Sequence, residues 1–312
     1  MRRHYSKFDP AKAAKAMIPI FCSVLILGVT LGFFFSPNTA ASPKPVVFVS
    51  ILPQKYFVKQ ICKELADIQV MVPPGASPAT YEPNPKQMAA VSKARIYFSI
   101  GVPFENTWLK KIAAINPDMA VVPTDRGIKK LPMAAHHHQE DENQPQHGSL
   151  DPHIWLSPPL VMIQARTMLE ALQAADPVNR SVYESNFRAF ISQLSDLDAE
   201  LRGMFSGSAG QQFMVFHPSW GYFAQAYGLK MVPIEIEGKE PKPADLRELI
   251  EHARVNGIKF VFVQPQFSAR SAKLIAGEIG GQVVIADPLA EDWADNLRGV
   301  ARKVEAALRQ SL

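Results

Sequence analysis

A strand-helix alternation, written twice on either side of one long helical pattern, is the feature that most constrains how this 312-residue chain folds. Residues 46–51 form an almost continuously apolar run, and from Pro53 onward Phe57, Val58, Ile61 and Leu65 recur at three- and four-residue spacing. Residues 68–72, 96–100 and 121–122 read as three more strands, and 87–94 as a helix. The runs do not alternate apolar with polar. That is the pattern of parallel strands covered on both faces by helices.

After residues 151–157 come two helical stretches, the second from about Val178 to Phe205. Its Phe187, Phe190, Ile191, Leu194 and Leu197 keep helical spacing over several turns, which makes a rod of about 40 Å at 1.5 Å per residue. The alternation then resumes: strands 213–216, 231–236, 260–263 and 283–286, helices 246–255 and 269–279, and an amphipathic helix from about Trp293 to Leu308. The expected fold is α/β: two open lobes with mainly parallel sheets, joined by one long rigid helix. The lobes are expected at 43–160 and 207–312, with the helical connection at 161–206. In such folds ligands bind in the crevice at the carboxyl ends of the strands.

Residues 1–41 stand apart. Arg2, Arg3, Lys7, Lys12 and Lys15 precede an uncharged apolar run, 17–35, and the small residues Thr39, Ala40 and Ala41. This is the layout of a signal peptide. The run also approaches the span of about 20 residues that crosses a bilayer, so the segment reads either as a cleaved leader or as an uncleaved anchor. Both readings put the rest of the chain outside the cytoplasm. Removing the segment takes away five Lys/Arg and one Asp, so the net charge falls from +4 to zero. The basic character belongs to the leader, and nothing points to a nucleic-acid partner. Cys22 lies in that leader behind Pro19, Ile20 and Phe21, a poor lipidation context. Cys62 is then the single remaining thiol, which forbids an internal disulfide, and it reads as a small buried hydrophobe.

Three polar residues sit where an α/β fold puts its chemistry. His217 and Asp287 end apolar strands, and His153 follows a loop of abruptly different composition. Imidazole nitrogens with a carboxylate oxygen suit a borderline-soft ion such as Zn²⁺, which usually takes four ligands. Each residue also has an ordinary structural role, and their spacing does not bring them together. The loop, 133–149, holds His136, His137, His138 and His147 among Glu140, Asp141 and Glu142 and shows no apolar periodicity.

Several motifs in one order resemble the zinc/manganese ABC-transporter solute-binding family: Gly75-Ala76-Ser77-Pro78, Tyr81-Glu82-Pro83, Asp151-Pro152-His153-Ile154-Trp155, His217-Pro218-Ser219-Trp220-Gly221, Ile234-Glu235-Ile236-Glu237-Gly238 and Asp287-Pro288-Leu289. The resemblance covers 45–308. It implies an extracytoplasmic protein that holds a metal ion between two lobes for an ABC permease and its ATPase, touching the membrane only through its leader or that permease. By position it assigns ligand roles to His153, His217 and Asp287. The family's first ligand, a His directly after the Gly-x-Ser-Pro turn, is Ala79 here, and a methyl group cannot bind a metal. Three completions remain open: a water, Tyr81 or Glu82, or one of His136, His137, His138 and His147. Manganese-type members carry Glu where this chain has His217, so the resemblance favours Zn²⁺, with Mn²⁺ as the alternative. Protonation of the imidazoles below about pH 6 is expected to weaken binding.

Trp220, Tyr222 and Phe223 read as helix packing behind the site, and Glu235, Glu237, Lys239 and Glu240 as a solvated turn. Two other functions share parts of this pattern. A zinc hydrolase also uses two His and a carboxylate, but neither a His-Glu-x-x-His helix nor a Gly-x-Ser-x-Gly turn occurs. A metal-binding adhesin on the same fold differs in no residue pattern the sequence displays.

Overall fold

A computed structural model describes residues 44–134, 149–236 and 238–310. The leader, residues 135–148 with all four loop histidines, and Glu237 lie outside the described residues. Each βα alternation forms a four-stranded parallel sheet. The first contains β1 (Val46–Val49), β2 (Asp67–Val70), β3 (Ile96–Ser99) and β4 (Ala120–Pro123) in the order β2-β1-β3-β4. The second contains β5 (Gln212–Val215), β6 (Lys230–Pro233), β7 (Phe260–Val263) and β8 (Gln282–Ile285) in the order β6-β5-β7-β8. The two orders are the same, counted from each lobe's first strand. In each sheet the chain steps outward from the first strand to the second and then crosses back, which opens a crevice at the carboxyl ends of the first and third strands.

Helices α1 (Leu52–Cys62), α2 (Pro85–Val91) and α3 (Pro103–Ile115) connect the first sheet; α6 (Gly221–Ala226), α7 (Pro243–Val255) and α8 (Arg270–Glu278) connect the second. Proline stands in the first turn of α1, α2, α3 and α7, where its missing N–H would have had no helical partner. Helix α3 was not foreseen in the sequence reading, although Pro103 and the first-turn Glu105 mark its start. The apolar runs also extend past the strands that they predict. Met71, Val72 and Ile234 lie past the strand ends, yet their N–H groups still donate to the carbonyls of Val49, Ser50 and Val215 at 2.8, 3.0 and 2.8 Å, and their side chains are buried.

Between the lobes run α4 (Pro158–Ala175) and the 25-residue α5 (Arg180–Met204), about 38 Å long. Tyr183, Phe187, Phe190, Leu194, Leu197 and Leu201 form the buried stripe of α5. Near its start, Asn186 donates to the Ile61 carbonyl of α1 at 3.0 Å; near its end, Asp198 accepts from Tyr227 at 3.2 Å and Glu200 from Arg298 at 2.8 Å. The final helix, α9 (Trp293–Arg309), returns across the molecule and sets Trp293 edge-on against Phe57 of α1, with ring centroids 5.0 Å apart. One hydrophobic core therefore spans both lobes, with Phe57, Phe190, Phe223 and Trp293 in it. A smaller core, including Phe216, Ile234, Leu249 and Ile275, belongs to the second sheet alone. Cys62 is fully buried, and burial pushes its thiol up to about 11, as suits an inert packing residue.

Candidate metal centre

His217 lies two residues beyond β5. Its backbone is fixed by Gln264, just past β7: the amide oxygen accepts from the His217 N–H at 3.2 Å, and the amide nitrogen donates to the His217 carbonyl at 2.7 Å and to Ser219 Oγ at 3.0 Å. The ring stacks on Phe267, with centroids 4.7 Å apart and planes 18° from parallel. Its Nδ1 faces both oxygens of Glu235, at 3.1 and 3.0 Å.

His153 reaches the same place from the segment that precedes α4. Asp151 Oδ1 accepts both the His153 backbone N–H, at 2.9 Å, and the ring Nδ1–H, at 2.7 Å. Asp151 is itself held by Tyr222, whose hydroxyl donates to the Asp151 carbonyl and accepts from the Leu131 N–H, both at 2.9 Å. Gly221 is required beside it, because a Cβ at that position would stand 2.9 Å from Asp151 Oδ2. Burial pushes the His153 pKa below the ordinary imidazole value, against the opposing pull of Asp151.

The two rings lie 5.3 Å apart between centroids, at 72°. A carboxylate only accepts hydrogen bonds, so each Nδ1 carries a proton, and in the neutral ring the Nε2 lone pair is the one a metal can take. A carboxylate behind a histidine in this way fixes the tautomer and raises the basicity of the metal-binding nitrogen. Both rings line a cavity of about 70 Å³, together with Ser77, Pro78, Ala79, Gln266 and Phe267. Ala79 therefore faces the site with a methyl group.

Asp287, two residues past β8, does not join the imidazoles. It lines an adjoining cavity of about 300 Å³, and its Oδ1 accepts from the Leu289 N–H at 2.9 Å and from Gln266 Nε2 at 3.1 Å. Gln266 lines both cavities. Among the described residues no group of three His, Cys, Asp or Glu side chains stands ready to hold a metal ion. Tyr81 spends its hydroxyl on Gln87 at 2.5 Å, Glu82 faces solvent, and neither lines the cavity. His136, His137, His138 and His147 lie outside the described residues.

A family model for the periplasmic zinc-uptake complex component A, ZnuA, matches residues 47–307. The chain belongs to the ZnuA family. The high-affinity zinc uptake system protein ZnuA of Bacillus subtilis is 30% identical over 249 residues, 78% of each chain. The zinc-binding lipoprotein AdcA of Streptococcus pneumoniae is 27% identical over 295 residues, 88% of this chain and 57% of that one. A crystal structure of ZnuA, 43% identical, superposes with a TM-score of 0.79 over 85% of this chain and all of the other. A zinc-bound ZnuA lacking its residues 138–173 gives 0.78 at 42% identity, over 85% of this chain and 98% of that one. The two α/β lobes and the long helix are thus the ZnuA architecture, and the protein is of the solute-binding type in ABC metal uptake.

Within that family frame, sequence reasoning missed the residues behind the imidazoles. Glu235, assigned above to a solvated turn, is 5% exposed and faces His217; it directly follows the buried end of the β6 segment, at the carboxyl edge where the site lies. Asp151 had a local signal, since an Asp two residues before a His in Asp-Pro-His can turn back on it. Gln264 and Gln266 had none beyond their place after an apolar strand. Trp220, Tyr222 and Phe223 are buried as packing, and Tyr222 also braces Asp151.

Proposed function

We propose that this chain captures Zn²⁺ outside the cytoplasmic membrane and delivers it to an ABC permease driven by its ATPase. The observation that carries the reading is the pair of imidazoles, each backed at Nδ1 by a buried carboxylate and each left with a free Nε2 at one interlobe cavity. His153 and His217 bind the ion, Asp287 supplies the neighbouring negative charge, and imidazole donors favour zinc over manganese. The histidines of the 133–149 loop collect the ion and present it to this pair. The ion is cargo, and no catalysis is involved: Asp151 and Glu235, the carboxylates nearest the ring pair, hold ring protons rather than a nucleophilic water. Because α5 contacts both lobes along one rigid rod, release requires docking on the permease rather than wide hinge opening.

Titration of Zn²⁺ and Mn²⁺ into residues 42–312, beside His217→Ala and a variant lacking 133–149, tests the reading. Tight one-to-one zinc binding that collapses in His217→Ala is expected, with a smaller loss on loop deletion. An intact chain that binds no zinc would sink it.

A further inference from the structure

The first turn of α9 carries two side-chain donors that reach different segments of the metal centre. Trp293 and Asn296, three residues apart, stand on one face of the helix. The Trp293 indole N–H donates to the carbonyl of Trp155, two residues beyond His153, at 2.8 Å. The Asn296 amide nitrogen donates to the carbonyl of Asp287 at 2.7 Å. A third bond closes a ring: the Trp155 indole N–H donates to the carbonyl of Pro288, the residue after Asp287, at 2.7 Å. Trp155 and Trp293 are each 1% exposed and belong to the core shared by the lobes, so water cannot take over either indole bond without unpacking that core. The Trp155 ring also lies against His153, with centroids 5.0 Å apart, and lines the imidazole cavity. The bonds to the Asp287 carboxylate itself, from the Leu289 N–H and Gln266 Nε2, come from the second lobe alone and do not set its distance from His153. The three bonds of the ring do.

We infer that the first turn of α9 sets the position of the Asp287 charge relative to the imidazole pair, with Asn296, Trp293 and Trp155 as positioning residues. Asn296 holds the Asp287 backbone to α9, Trp293 holds α9 to the His153 segment, and Trp155 ties that segment back to Pro288. The attraction between a carboxylate and a cation falls with distance, so an ion at His153 and His217 feels Asp287 from a turn that this ring fixes. The turn is ordered when the chain folds, and capture carries no cost of ordering it. The inference rests on the zinc-capture reading.

The test compares wild type with Asn296→Ala, Trp155→Phe, Asp287→Ala and the double variant Asn296→Ala/Asp287→Ala. Amide hydrogen exchange of the zinc-free proteins reads the order of the turn. Exchange across residues 286–292 should be faster in Asn296→Ala and Trp155→Phe, with β7 unchanged. Zinc affinity, by competition with chromophoric chelators of graded strength, should fall by about 10-fold in Asn296→Ala, the low end of the range for residues that act on a metal through another group. That loss should largely vanish in the Asp287→Ala background, because the two residues act in series. Unchanged exchange at 286–292 in both variants, faster exchange in β7 as well, wild-type affinity in Asn296→Ala, or a loss of the same size with and without Asp287 would each overturn the inference. If such a result accompanies an intact chain that binds zinc and a His217→Ala variant that does not, the zinc reading stands and the role of α9 falls. A wild type that binds no zinc removes both.

Discussion

Behind the strand ends of the first sheet, the polar side chains satisfy one another; at the strand ends of the second, they are left with something to offer. In the first lobe Ser50 donates to Glu105 at 2.5 Å and meets Tyr97 at 2.9 Å, and Glu105 also accepts the N–H groups of Ile100 and Gly101 at 3.0 and 2.8 Å. Gln54 accepts the Ser50 N–H at 3.0 Å and donates to Thr124 at 3.1 Å. The network is closed, and past its strand ends this lobe presents Ser77, Pro78, Ala79 and Val102 to the cavity; its one imidazole there, His153, comes from the segment before α4. In the second lobe His217, Gln266 and Asp287 are each held at one atom, while His217 Nε2 and Gln266 Oε1 stay free. The strand order is identical, so topology supplies the crevice in both lobes and the residues after each strand decide what each wall presents to it.

If the lobes stand or fall together through their shared core, Trp293→Ala gives the largest effect. A loss of about 3–5 kcal/mol is expected by denaturant unfolding, in a single transition for both lobes. Two separate transitions would break the picture of a common core. Glu105→Ala attacks only the closed network and should cost about 1–3 kcal/mol by leaving the Ile100 and Gly101 N–H groups without a partner. Its zinc affinity should remain that of wild type. Burial raises the Glu105 pKa in the folded protein. Its contribution is therefore full at low pH and declines as pH rises through that raised value, a slope that the Ala variant should lack.

The open side is sharpened by Glu235→Gln and Gly221→Ala. The first takes the negative charge from behind His217, and the second drives a methyl group against Asp151 behind His153. Each should weaken zinc binding by about 10–100-fold in the same chelator competition; Glu235→Gln should leave the unfolding free energy little altered, while the clash in Gly221→Ala should cost about 1–3 kcal/mol as well. Equal affinity in both variants and wild type would mean that the carboxylates serve folding alone. The smallest effect belongs to Lys55→Ala, which removes the 2.6 Å pair with Glu291 across the lobes. Both partners are substantially exposed, so denaturant unfolding should change by no more than about 1 kcal/mol.

Most strands and the long rod were legible because their signals are local: continuous apolar runs, helical spacing along α5, and prolines at helix starts. Glu235 was misread because it belongs to a charged run that looks solvated, and its partner is 18 residues away. Asp287 could be placed at a strand end, but that its carboxylate meets Gln266 and Leu289 rather than the imidazoles is set by contacts between segments.

By itself, the sequence determined two parallel α/β units, a stiff helix between them, the polar residues available at the strand ends, and a methyl group at position 79 where the family resemblance expects a ligand. Periodicity and residue type are properties of neighbouring residues, so they survive without coordinates. The tertiary structure decided that His153 and His217 converge, that Asp151 and Glu235 orient them, and that Asp287 turns to Gln266 instead of joining them. Each of those relations except Asp151 with His153 links residues distant in the chain. They exist only once shared burial has closed the two lobes onto one core.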